Sequence, residues 1–557
     1  MHHTRHGHPP VPDVDADIDF AGPLHFADVR LPETIPALAE SAAERFGDRP
    51  AVLAGAQSLT FAGLFEGARR FGAALVEAGV EPRDRVAIWA FNSTEWIVSY
   101  LGLLMAGATL VPVNTRFKGA EVADMLARSH ARVLVTTRDF LGVDYVEMLR
   151  AVGEPLADLR TIIAIRSDST PDIEGWDDFS KRGTEESLQE LDRRRRAVTV
   201  DDPADILFTS GTTGVAKGVV MTHGRTLWVA TDWVAMSGLR DDDRYLMINP
   251  YFHMFGLKSG ILACLVAGAT MLPEPTLDME RVFARVEQDR VTVLPGPPTL
   301  YQTILDHPDR AQHDLSSLRL AVTGASNIPV ELIRRVHEEL PFSTVISGYG
   351  LTEAGTASGT APGDPFEAIA TTVGRPRDRF EVRIVDDGGN DVATGLTGEI
   401  WLRGPSVMAG YLDDPEATAA ALSADGWLRT GDLGLLDEAG RLKIVGRLKD
   451  MFIVGGFNAY PVEIENLLLR HPDIRQAAVV GVPDERMGEV GVAFVITSPE
   501  ASVTEADIIA WSRDRMANYK VPRVVQVVGE LPVNATGKVQ KELLRARATR
   551  GAAEPSA

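Results

Sequence analysis

Two stretches of the chain nearly repeat one another: Leu104-Met105-Ala106-Gly107-Ala108-Thr109-Leu110-Val111-Pro112 and Leu265-Val266-Ala267-Gly268-Ala269-Thr270-Met271-Leu272-Pro273. Each reads as the end of a helix, a glycine C-cap and a short strand. Two similar subdomains within the N-terminal part would explain the echo, with chance recurrence of a common helix–turn–strand unit as the alternative. The copies are too few and too widely spaced for a solenoid. Elsewhere, helical periodicity alternates with short β-branched runs such as Arg85-Val86-Ala87-Ile88-Trp89 and Val291-Thr292-Val293-Leu294. That alternation is the pattern of α/β layers.

At 557 residues the chain needs more than one domain. From about Gly374 the pattern changes to short strands and turns, and Gly446-Arg447-Leu448-Lys449-Asp450 reads as a boundary. The expected division is a disordered N-terminus over 1–20, a large domain over 21–446, a hinge over 447–450, a small domain over 451–550 and a disordered tail over 551–557. Trp96 to Val113 carries no charge, which is near membrane-spanning length. Its glycines, Pro112 and changing pattern instead predict a buried helix, a turn at Gly107 and a strand, so no transmembrane segment is expected.

Lys and Arg total 56 against 78 Asp and Glu, a net charge of -22. Such a surface repels phosphate backbones, so nucleic acid is not an expected partner. The basic run Arg193-Arg194-Arg195-Arg196 reads as a solvated helix end. The single cysteine, Cys264, excludes an internal disulfide and a cysteine-built metal site. It reads as an inert buried thiol in a reducing, cytoplasmic protein.

The strongest chemical signal follows the strand-like Ile206-Leu207-Phe208. It reads Thr209-Ser210-Gly211-Thr212-Thr213-Gly214-Val215-Ala216-Lys217-Gly218. Glycines let the backbone approach an anion, hydroxyls donate hydrogen bonds and a lysine adds charge, so the segment suits phosphate. Its spacing is not that of the P-loop, which argues against a P-loop kinase or ATPase. A plain Gly/Ser/Thr loop is the alternative.

This segment resembles the signature of the adenylate-forming superfamily, which includes acyl-CoA synthetases, amino-acid adenylation domains and luciferases. Further motifs of that superfamily follow in order: Thr323-Gly324-Ala325-Ser326, Tyr349-Gly350-Leu351-Thr352-Glu353, Thr430-Gly431-Asp432, the segment from Gly446 to Asp450, and Pro532-Val533-Asn534-Ala535-Thr536-Gly537-Lys538. The resemblance implies a large N-terminal domain of two similar α/β subdomains plus a small β-barrel-like part, and a small mobile α+β C-terminal domain. It implies ATP, Mg²⁺ and coenzyme A as cofactor and substrates, a small-molecule carboxylic acid as the acyl source, and is compatible with a homodimer.

The roles follow from one electrostatic difficulty: a carboxylate must attack the α-phosphate of ATP. Two unit charges about 4 Å apart repel by roughly 4 kcal/mol at an effective dielectric near 20, so cations must line the path. By resemblance, Lys538 bridges the carboxylate and the α-phosphate, and Glu353 holds Mg²⁺ with Thr352 alongside. Thr209, Ser210, Gly211, Thr212, Thr213, Gly214 and Lys217 cradle the phosphates. Gly324, Ala325, Ser326, Tyr349 and Gly350 border the adenine, Asp432 accepts from the ribose hydroxyls, and Arg447 adds a polar contact. Alone, Lys538 would pass for an exposed lysine, Asp432 for a turn residue and Glu353 for a helix cap. Lys449 stands at the hinge about which the C-terminal domain is implied to swing, bringing Gly455, Gly456 and Phe457 towards CoA.

The acyl pocket is expected around His253, Lys258 and Gly296. His253 would be a wall or gate, since the acid is already ionised at neutral pH; a satisfied core histidine competes with that reading. Asp243 to Pro250, Leu294 to Tyr301 and Lys449 to Asn458 resemble actinobacterial ligases acting on the propanoate side chain of a bicyclic, steroid-derived dione. Fatty-acyl ligation, or delivery to a carrier-protein thiol, are the alternatives. Lys258 would either meet a ketone of such an acid or extend to solvent from a helix start.

Overall fold

The computed structural model describes residues 25–26, 29–55, 57–153, 155–209, 216–324, 330–498, 501–533 and 539–552. The expected disordered termini, 1–20 and most of 551–557, lie outside the described residues. Two large sheets dominate. The first has eight strands in the order Gly410–Tyr411, Lys217–Thr222, Pro203–Thr209, Thr109–Pro112, Arg85–Trp89, Ala131–Thr137, Thr161–Ile165 and Glu174–Gly175. The second has nine, ordered Arg375–Pro376, Gly355–Gly359, Thr344–Leu351, Leu320–Gly324, Val293–Pro295, Arg244–Met247, Thr270–Pro273, Pro50–Ala54 and Gln57–Thr60.

Pairing is parallel through the middle of both sheets and antiparallel only towards their edges. Central parallel strands are buried on both faces, which is why these segments read as continuous β-branched runs rather than alternating ones. One core joins the sheets: Val86 and Leu110 of the first belong to the same buried cluster as Val52, Met271 and Leu320 of the second.

The sequence echo is a structural duplication. Gly107 (φ 78°) and Gly268 (φ 80°) both end a helix in the left-handed conformation. The strands that follow pair in parallel with their neighbours at matching positions, Arg85 against Thr109 and Arg244 against Thr270. The Thr109 amide donates to the Asp84 carbonyl at 2.8 Å, and the Thr270 amide to the Asp243 carbonyl at 2.9 Å. Even the turns before the strands agree: Asp84 accepts from the Glu81 amide, and Asp243 from the Arg240 amide, each at 2.8 Å.

The charge-free segment from Trp96 to Val113 is the helix Thr94–Met105 and the strand Thr109–Pro112, both within the core. Among the described residues no helix is long and apolar enough to cross a membrane. Cys264 is fully buried, which pushes its thiol well above its ordinary value. The basic run is only half solvated. On the helix Glu185–Ala197, Arg194 and Arg195 are buried, with Arg194 bonded to Glu190 at 2.7 Å and to the Val80 carbonyl at 2.6 Å, and Arg195 to Glu40 at 2.6 Å. A guanidinium presents a planar fork of donors, so it tolerates burial when each arm has an acceptor.

Beyond the two sheets, Glu381–Val385, Gly398–Arg403, Leu428–Leu436 and Leu442–Arg447 form the small all-β part as a four-stranded antiparallel sheet. The last sheet, starting at Phe452, holds five strands with the helices Pro461–Leu468, Glu505–Arg513 and Lys541–Ala552. It has its own core, with Phe452, Ile464, Val479 and Val495.

The two cap glycines differ in surroundings. A Cβ on Gly107 would sit 3.4 Å from Pro82, whereas one on Gly268 would meet the Phe46 ring at 2.5 Å. Gly107→Ala is expected to cost about 1–2 kcal/mol from backbone strain alone, and Gly268→Ala clearly more, read by urea unfolding. Equal losses would show that the Phe46 ring moves freely aside.

His223, the first residue of the helix His223–Ser237, accepts the Ile35 amide on Nδ1 at 3.3 Å. Burial lowers its pKa from 6.5 to about 4. The folded imidazole therefore stays neutral while the unfolded one takes a proton. Stability present above pH 6.5 should be lost as pH falls towards 4. In His223→Asn that part of the acid loss is expected to disappear, as followed by thermal midpoints across the range.

Candidate active site

The site grows from strand ends. Thr344–Leu351 turns back into Gly355–Gly359 with a register shift between Tyr349 and Gly350. Only glycine fits at 350, since a Cβ there would lie 2.3 Å from the Gly355 carbonyl. Gly324 stands opposite Gly348 on the neighbouring strand, where a Cβ would meet the Gly348 carbonyl at 3.0 Å. Backbone thus lines this edge closely.

The Tyr349 hydroxyl donates to Asp432 Oδ2 at 2.6 Å. Arg447, the cross-strand partner of Asp432, brings Nε to within 2.9 Å of Oδ1. The Asp432 amide is held by Thr430 Oγ1 at 3.0 Å. Burial, and then the Asp432 charge, push the Tyr349 phenol well above its ordinary value, so it remains a donor. A carboxylate offers about four acceptor positions; Asp432 commits one on each oxygen and keeps capacity for two hydroxyls.

A second cluster joins Glu353, Tyr411 and Lys217. Glu353 Oε1 accepts from the Tyr411 hydroxyl at 3.1 Å, and Lys217 Nζ lies 4.9 Å above the Tyr411 ring. Lys217 pairs with Thr209 across the hairpin, and Gly410–Tyr411 adds a further strand beside Val219 and Val220. Burial raises the Glu353 carboxyl above its ordinary value, with only partial relief from its own backbone, from Tyr411 and from the Arg447 charge. Thr352 precedes it, part-buried in the same turn. Among the described residues no group of three or more His, Cys, Asp or Glu could cage a metal. One carboxylate that shares a hard cation with phosphate oxygens nevertheless fits Mg²⁺. Sequence reasoning missed Tyr411, because a lone tyrosine in a Gly-Tyr pair carries no spacing signal.

Ser210, Gly211, Thr212, Thr213, Gly214, Ala325, Ser326 and Lys538 lie outside the described residues. Lys449 Nζ is 3.8 Å from Glu542 on an exposed surface, a pairing that contributes little. Gly455 and Gly456 both adopt positive φ, and the exposed Phe457 stacks on Tyr519 at 5.1 Å. Glu542 and Tyr519 both lie in the C-terminal part of the chain, after Phe452.

On the acyl side, His253 caps the turn Met254–Gly256, its Nδ1 accepting the Phe255 amide at 3.2 Å. Phe255 meets Trp233 edge to face at 5.0 Å. The Gly296 amide donates to the Val322 carbonyl at 2.9 Å, fixing the turn after the strand Val293–Pro295. Lys258 does not extend to solvent. It is fully buried in the π-helical turn Leu257–Leu262, and its ammonium lies 3.0 Å from Asp205 Oδ1, which is equally buried. An internal counterion, neither ketone nor water, receives its charge.

A model of the family AMP-binding enzyme matches residues 39–412, and one of the AMP-binding enzyme C-terminal domain matches residues 463–538. The chain is 46% identical to 3-(7a-methyl-1,5-dioxo-octahydro-1H-inden-4-yl)propanoyl:CoA ligase of Rhodococcus jostii (strain RHA1), over 92% of this chain and 98% of that protein. It is 47% identical to the Mycobacterium tuberculosis ligase of the same name, with the same coverage. The crystal structure of the anthranilate CoA ligase AuaEII with anthranoyl-AMP superposes with a TM-score of 0.84 at 29% identity, covering 95% of this chain and 99% of that one. ATP-bound MatB of Rhodopseudomonas palustris gives 0.82 at 28% identity, covering 92% and 99%.

Glu353 carries a desolvated charge without a protein cation in an ion pair. Glu353→Gln is therefore expected to raise the thermal midpoint of the ligand-free protein, because function-bearing charges are commonly held at the expense of stability. A fall in the midpoint would show that the Tyr411 contact outweighs desolvation.

Proposed function

The chain belongs to the AMP-binding enzyme family, and on that premise we propose that it is an AMP-forming ligase that joins a ring-bearing, steroid-derived propanoate to coenzyme A. In the first half-reaction a carboxylate oxygen attacks the α-phosphorus of ATP, forming acyl-AMP and releasing pyrophosphate. In the second the CoA sulfur attacks the acyl carbon, its proton passes to solvent, and AMP leaves.

The observation that carries this reading is the Asp432 carboxylate, fixed between Tyr349 and Arg447 with acceptor capacity to spare. It would take the two ribose hydroxyls while the Tyr349 ring packs on adenine. Thr209 to Gly214 and Lys217 would cradle the phosphates, with Gly324, Ala325, Ser326 and Gly350 bordering the base. Glu353, with Thr352 beside it, would hold Mg²⁺, which when bound draws negative charge from the phosphate oxygens. Lys538 would bridge the attacking carboxylate and the α-phosphate, where opposing charge must be neutralised in the transition state. Rotation about Lys449 would then exchange Lys538 for Gly455, Gly456 and Phe457, opening the way for the thiol; closure and re-opening of this kind commonly set turnover. His253 and Gly296 would wall the acyl pocket.

The near full-length likeness at 46–47% identity supports the bicyclic acid. Ligases named for other ring acids, indoleacetate and ferulate, match at 37% and 36% identity. ATP, CoA and a free acid meet in the cytoplasm, the compartment this reading implies.

Purified protein given ATP, Mg²⁺, CoA and the bicyclic propanoate is expected to yield its CoA thioester by mass spectrometry, at higher kcat/KM than with plain fatty acids. Lys538→Ala should abolish acyl-AMP formation. Asp432→Asn should raise the KM for ATP by roughly 10–100-fold, the cost of weakening charge-assisted hydrogen bonds. No thioester with any ring acid, or full adenylation by Lys538→Ala, would remove the proposal.

A further inference from the structure

Lys258 and Asp205 form a fully buried ion pair at 3.0 Å. Such a pair gives little net stability, because removing both charges from water offsets most of their attraction. Its position is more informative than its strength. Asp205 lies on the strand Pro203–Thr209, and since side chains alternate along a strand, it shares a sheet face with Thr209, where the hydroxyl-rich segment begins. Asp205 Oδ2 accepts from Thr226 Oγ1 at 2.7 Å. Thr226 belongs to the helix His223–Ser237, whose Trp233 packs on Phe255 of the histidine motif. Lys258 follows that motif directly, in a π-helical turn, a geometry that often marks functional sites. Three elements, two of them joined at the histidine motif and one leading to the hydroxyl-rich segment, therefore meet at one carboxylate.

The surroundings offer no substitute for the pair. Burial lowers the Lys258 pKa and Asp205 counters it. The buried Tyr100 hydroxyl is in the field of Asp205. Besides Asp205, the structure gives the Lys258 ammonium no partner among the described residues. Loss of either charge would leave the other unpaired inside the core.

We propose that Lys258 and Asp205 are positioning residues that lock the acyl-pocket turn onto the strand feeding the phosphate segment, so that they set nucleotide affinity without touching either substrate. The inference rests on the ligase reading, yet its main readout, ATP affinity, needs no acid. Lys258→Met with Asp205→Asn removes both charges at once and retains an amide oxygen for Thr226. This double variant should keep a thermal midpoint near the parent while its Kd for ATP, by calorimetry, weakens by roughly tenfold or more, since small misplacements of binding groups are costly. Its kcat should fall by the same factor on the bicyclic keto acid and on a saturated fatty acid.

Parental ATP affinity and kcat in a folded double variant would mean that the pair is only structural, and would overturn the proposal. A loss confined to the keto acid would overturn it too, since Lys258 would then be reading a ketone. If the double variant does not fold, Thr226→Val decides: a smaller weakening of ATP binding supports the lock, and an unchanged Kd rejects it. Failure of the parent to ligate any acid would instead sink the ligase reading and leave the comparison of ATP affinities intact.

Discussion

Strand polarity governs where this chain can do chemistry. A parallel sheet delivers all its carboxyl ends to one edge, and loops there can converge on a ligand. Thr209 ends Pro203–Thr209, Gly324 ends Leu320–Gly324, Gly296 follows Val293–Pro295, and the turn at Thr352 and Glu353 follows Thr344–Leu351. His253 comes shortly after Arg244–Met247. Residues far apart in sequence come to the same end of each sheet because the parallel crossovers return the chain in the same direction. The duplicated helix–glycine–strand unit produces this twice, and the shared core holds the two results together.

That logic explains what the sequence disclosed. A left-handed glycine after a helix and an apolar strand before a hydroxyl-rich segment are local, and local patterns survive in one dimension. Gly107, Gly268 and the strand running into Thr209 were legible for that reason, as was the Trp96–Val113 stretch, whose glycines and proline mark a turn inside a core. Tyr411, Thr226 and Asp205 were not. Each acts through a partner supplied by another strand or helix, and nothing in its neighbours announces that partner. Lys258 was misread in the same way: its counterion lies on a strand of the other sheet. The basic run at Arg193–Arg196 misled because charge alone does not say whether acceptors wait inside.

Three carboxylates, two buried and one half-buried, show how the chain distributes charge. Asp205 has Lys258 and a threonine hydroxyl, and Asp432 has Arg447 and a tyrosine hydroxyl. Glu353 has one tyrosine hydroxyl, and among the described residues it makes no ion pair. Burial without a full counter-charge is costly, and the raised carboxyl records that cost. On the proposed reading, a protein cation placed against Glu353 would occupy the position a metal–phosphate complex needs. The carboxylate left least compensated is thus the one suited to an external cation, and the two with internal partners are suited to holding fixed geometry. Tyr411 belongs to this division: its ring lies under Lys217 while its hydroxyl serves Glu353. One edge residue therefore touches both a cation and an anion of the candidate site.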